Sequence, residues 1–164
     1  MLVQVNISRL LIREMADSQF VTLQEIDGSR SFPIAIGLAE AFAIERRMNG
    51  TVPPRPQTHD LLDSVLAAMG GVLTRIEIHD LEGGTFHARL VIERDDEQVT
   101  VDSRPSDALA LGVASGTPVF VEEVVIDEAS TVPAAGGLGG DESSDSSDSS
   151  GFDEDPEEDD SEFQ

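Results

Sequence analysis

The amino-acid sequence predicts an α+β fold: a single domain with an antiparallel-rich sheet and a few short helices, followed by a disordered acidic tail. Three observations carry this expectation. Apolar residues alternate with polar ones through six short runs, the period of half-buried strands. Between them lie three stretches with the three-to-four-residue spacing of an amphipathic helix. From Thr131 onward both periodicities stop, and Ser, Gly and acids take over. A chain of 164 residues with such a tail has room for one core.

In chain order, the first strands are marked by Val3, Val5 and Ile7, by Val21 and Leu23, and by Phe32, Ile34 and Ile36. Asp27-Gly28-Ser29 is a hairpin turn between the second and third. Leu38, Ala41, Phe42 and Glu45 then fall on one helical face. A second helix, carrying Leu61, Leu62, Val65, Leu66 and Met69, starts near Thr58, which can cap it, and ends at Gly70-Gly71. Strands follow at Ile76 and Ile78, at Phe86, Ala88, Leu90 and Ile92, and at Val99 and Val101, the last two joined through Asp95-Asp96-Glu97. Ala108, Leu109, Leu111 and Val113 form a short helix, and Pro118 to Ile126 reads as a last, partly buried strand.

Residues 20–44 align with 87–111 at an offset of 67, which sets Leu23 on Leu90, Ile34 on Val101 and Glu40 on Asp107. The domain, residues 1–130, therefore reads as an internal duplication of a strand, hairpin and helix unit, with the helix near 58–70 inserted between the copies.

The formal charge of −23 is uneven. Twelve acids and no base lie in the tail, 131–164, which leaves 21 acids against ten bases in the domain. All ten bases are arginine. A chain of this charge repels polyanions at long range, which excludes a basic nucleic-acid-binding stripe and favours cationic partners or metal ions. With no cysteine there is no disulfide framework and no thiolate metal site. The start of the chain shows neither a basic leader nor a long apolar run, so the expected location is cytoplasmic and no membrane partner is expected.

Three clusters have residue types suited to chemistry. Arg55-Pro56-Gln57-Thr58-His59-Asp60 puts a cation, an imidazole and a carboxylate at a helix start, where anions bind and where histidine can move a proton near neutral pH. Thr58 and Asp60 also suit plain capping there. Asp102-Ser103-Arg104-Pro105-Ser106-Asp107 lies at a strand-to-helix turn. Ser103, Pro105 and Asp107 fit a structural start, while Asp102, Asp107 and Arg104 fit a divalent cation beside a phosphate. Glu40 is the third candidate, on Asp107's place in the other copy.

In sequence order, the segments Phe32-Pro33-Ile34-Ala35-Ile36-Gly37, Arg55 to Leu62, Thr85-Phe86-His87-Ala88, Asp102 to Leu111 and Pro118-Val119-Phe120-Val121 resemble the bifunctional nuclease family. The resemblance covers about residues 1–129. It implies action on both DNA and RNA and an α+β fold capable of forming homo-oligomers, which free sheet edges also invite. Gln57 departs from the apolar residue of the family pattern, and the tail lies outside it. Laid on these motifs, the chemistry gives a metal-dependent nuclease. Asp102, Asp107 and Glu40 hold Mg²⁺ or Mn²⁺, His59 steadied by Asp60 carries the proton, and Arg55 and Arg104 bind phosphate. The alternative from another class is a non-catalytic binding or regulatory module.

Overall fold

The computed structural model describes residues 1–13 and 15–131. The expected disordered tail lies outside the described residues, apart from the Thr131 backbone that ends the last helix. The strands are β1 (Leu2–Leu11), β2 (Gln19–Glu25), β3 (Ser31–Ile36), β4 (Val72–Glu82), β5 (Thr85–Arg94), β6 (Glu97–Ser103) and β7 (Val119–Glu122). The helices are α1 (Leu38–Met48), α2 (Thr58–Ala68), α3 (Pro105–Gly112) and α4 (Glu123–Thr131). Among the described residues no helix is long and apolar enough to cross a membrane.

The strands form one sheet in the order β3-β2-β1-β7-β4-β5-β6. Alternation decides its two faces. Val21, Leu23, Phe32, Ile34 and Ile36 point into the core from one side, and Ile76, Ile78, Ala88 and Leu90 from the other. Helices then cover this apolar face: α1 with Ala41 and Ile44, α3 with Leu109 and Leu111, α4 with Val125 and Ile126. The β5–β6 hairpin turns through Asp95 and Asp96, both at positive φ (51° and 63°), as a two-residue turn with the twist of its strands requires.

The duplication is visible in the topology. β1-β2-β3-α1 and β4-β5-β6-α3 lie on opposite sides of β7, each an antiparallel meander followed by a helix. Glu40 and Asp107 are each the third residue of their helix. The inserted helix is α2.

One expectation is corrected. The run Pro118 to Ile126 is not a single strand: β7 ends at Glu122, and Glu123–Thr131 is helical. Val119 and Val121 are buried with period two, whereas Val125, Ile126 and Ala129 recur at helical spacing. The two patterns abut in one Val/Ile-rich stretch, and the change of period is masked there.

Candidate functional site

Four of the candidate residues meet where α1, α2 and α3 begin. His59, the second residue of α2, lies with its Nε2 3.2 Å from Asp107 Oδ1. Asp107 also accepts from Arg104 Nε at 2.8 Å and Nη2 at 3.2 Å. The same Nη2 lies 2.8 Å from Glu40 Oε1. Arg104 thus bridges the two equivalent acids of the duplicated units. Burial pushes the Asp107 carboxyl up, but hydrogen bonds from Arg104 and His59 outweigh it and hold the group below the ordinary aspartate value. Its two carboxylate partners in turn raise Arg104.

The reason lies in the local sequence. Pro105 occupies the first helical position of α3, where its missing N–H costs nothing, and its φ pre-sets the turn. The N-cap is Arg104 rather than Ser103, which stays in β6 with its Oγ donating to Arg104 O. The α1 N-cap is Gly37, where a Cβ would collide with the Glu40 carboxylate. Neither N-cap has a side chain that hydrogen-bonds the helix start.

Asp60 does not steady His59. Consecutive helical residues point about 100° apart, so the two side chains diverge. Asp60 accepts from the Gln57 N–H at 3.0 Å and from Arg46 Nη2 at 2.8 Å, and pairs with Arg47 Nη1. Desolvation raises its pKa, yet these partners pull it down to about 2. Arg47, buried in the last turn of α1, also reaches Asp63 and donates to Leu111 O at 3.0 Å. Residue chemistry alone does not single out this arginine pair. The signal was the doubled cation in the last turn of α1, which reads as dipole compensation unless its partners are known.

Asp102 is not brought to the cluster. In β6, Val101 faces Leu90 on the helix-covered side, so Asp102 faces the other way, opposite Arg89. On that far face Arg89 and Arg75 hold the buried Glu77. Arg55 is exposed and makes no ion pair among the described residues. Among the described residues no three His, Asp or Glu side chains are grouped to hold a metal ion. The chemistry of the donor set agrees, because a guanidinium already stands between Glu40 and Asp107.

Beside Arg104 opens a cavity of about 440 Å³, with walls that include Ile34, Ile36, Gly37, Phe86, Pro105 and Ser106. Phe86 stacks on Phe32 with ring centres 5.6 Å apart.

The bifunctional nuclease domain profile matches residues 21–134. A protein of Mycobacterium tuberculosis, described as uncharacterized in each of two strains, is 38% identical over 126 residues, covering 77% of this chain and 75% of the relative.

Proposed function

The chain belongs to the bifunctional nuclease domain family, and on that premise we propose that it hydrolyses phosphodiester bonds of DNA and RNA with His59 as proton carrier. The observation that carries this reading is the imidazole held on Asp107, the carboxylate that also binds Arg104. With Nε2 donating to Asp107, Nδ1 is left to take a proton from water. The water oxygen bonds to phosphorus, the bond to the leaving sugar oxygen breaks in line, and a phosphomonoester and a hydroxyl result. Arg104, with its side chain 65% exposed, turns its free edge toward the phosphate, and exposed Arg55 is a second phosphate contact.

A divalent cation, Mg²⁺ or Mn²⁺, would polarise a phosphate oxygen. Glu40 and Asp107 are the acids placed to take one, but only after Arg104 leaves, and Asp102 is on the opposite face. The residues as arranged do not fit a resident cation.

The test is cleavage of labelled single-stranded DNA and RNA, with and without chelator. His59→Ala and Asp107→Asn should each lower the rate by about a hundredfold, the worth of a positioned proton carrier. Wild-type rates in both variants would remove this site from the chemistry. They would leave the second reading, a non-catalytic binding or regulatory module, which is favoured by the closure of Glu40 and Asp107 on the chain's own Arg104.

A further inference from the structure

The cavity beside Arg104 is a built site. Both helix starts that border it keep free donors: the first helical hydrogen bonds are Ala41 N to Gly37 O and Ala108 N to Arg104 O. The N–H groups of Leu38 and Ala39 in α1, and of Ser106 and Asp107 in α3, therefore have no intrahelical acceptor. Ser106 is only 6% exposed, yet its hydroxyl has no hydrogen-bond partner among the described residues, and it lies in the cavity wall. The residue is buried but its Oγ is not among the buried unpartnered atoms, so the hydroxyl opens into the cavity as a donor and acceptor that the protein itself leaves unused.

The lining also holds apolar side chains, of which Phe86 offers the largest surface and Ile34 and Ile36 only their edges. The volume, about 440 Å³, lies within the range of about 300–1,000 Å³ typical of small-ligand sites and exceeds what a phosphate alone needs. The ligand should therefore be rich in acceptors at one end and flat and apolar at the other. The charge of the domain points the same way. With 21 acids against ten arginines in residues 1–130, no broad field can track a phosphate backbone, so recognition must come from a few donors at short range.

We infer that this cavity is a nucleotide subsite: it takes one unit of a single-stranded nucleic acid, with phosphate on the α3 start and Arg104 and the base against Phe86. The inference rests on the nuclease reading for its substrate class and names which unit is held. A base reaches such a cavity only from outside its stack, so single strands are preferred over duplex. Asp17, exposed in the same wall, opposes the phosphate and limits affinity.

The experiment is amide chemical-shift titration of the full chain with a nucleoside 5′-monophosphate, the matching nucleoside and inorganic phosphate, each in ribo and deoxy form where that applies. The monophosphate should shift Leu38, Thr85, Ser106 and Asp107 together and bind more tightly than either fragment. Ser106→Ala should weaken it about tenfold, the loss of one hydrogen bond to a charged group, and Asp17→Asn should tighten it. Unchanged amide shifts at these four residues in saturating monophosphate, or Ser106→Ala binding like wild type, would overturn the subsite. Because binding is read without turnover, shifts in His59→Ala support the subsite even if no cleavage is ever found, which separates its fate from that of the hydrolytic reading.

Discussion

Helices α3 and α2 are neighbours, yet seven of the eight residues of α3 are buried and none of the eleven in α2 is. α3 is anchored by apolar area, with Leu109 and Leu111 in the common core. α2 leaves Leu61, Leu62 and Val65 exposed and is tied down by charge: Asp60 to Arg46 and Arg47, Asp63 to Arg47, His59 to Asp107. The helix that supplies Asp107 cannot move without opening the core, whereas the helix that supplies His59 sits on polar contacts that pH and salt can reach.

The comparison can be broken most sharply at α3. Leu109→Ala, at a position 1% exposed, should cost about 2–5 kcal/mol in chemical denaturation, the usual range for deleting a core leucine. A cost under about 1 kcal/mol would mean that α3 is not core-anchored.

Next is acid. Asp60 is held at about 2 by its arginines and the Gln57 N–H, against 3.8 ordinarily, so its carboxylate contributes stability above pH 4 that is lost as pH falls toward 2. The contribution is on the order of 2 kcal/mol. Hydrogen exchange should show α2 losing protection in that window before α3 does, and Asp60→Asn should show a reduced response to acid there. Simultaneous loss in both helices would erase the distinction.

A smaller effect is expected from salt. Raising NaCl to about 1 M shrinks the screening length to about 3 Å, so α2 amides should exchange several-fold faster while α3 amides hardly change. The smallest effect is expected at the exposed apolar face of α2. Leu61→Gln, at a position 57% exposed, should shift stability by less than about 0.5 kcal/mol, as surface changes usually do. A core-sized loss there in the same denaturation assay would show that a buried interface of α2 had been overlooked.

Legibility in the sequence differed by region. The six expected strands and three expected helices are present; β2, β3 and α1 show why, since each sets one face in the core and one outside and so writes its period into the chain. The switch from β7 to α4 was hidden because only Glu122 and Glu123 interrupt the apolar run from Val119 to Ile126, too short a break to separate the two periods. In the site, the Glu40–Asp107 equivalence was readable from the 67-residue offset, and His59 and Arg104 from their places at helix starts. The assignment of Asp60 to His59 misled because adjacency in sequence is not adjacency on a helix. Asp102 misled likewise, since one step along a strand reverses the face.

Local pattern in the sequence was enough for the period of every element before β7, the proline start of α3, the charge balance and the family motifs. The tertiary structure alone decided the pairings across elements, His59 with Asp107, Arg47 with Asp60, Arg104 between two acids, and the cavity they border. The physical reason is that a carboxylate or guanidinium has the same local signature whether it is solvated or paired. Its partner is set by how helices pack on the sheet, and residues 48 positions apart, such as His59 and Asp107, carry no local record of that contact.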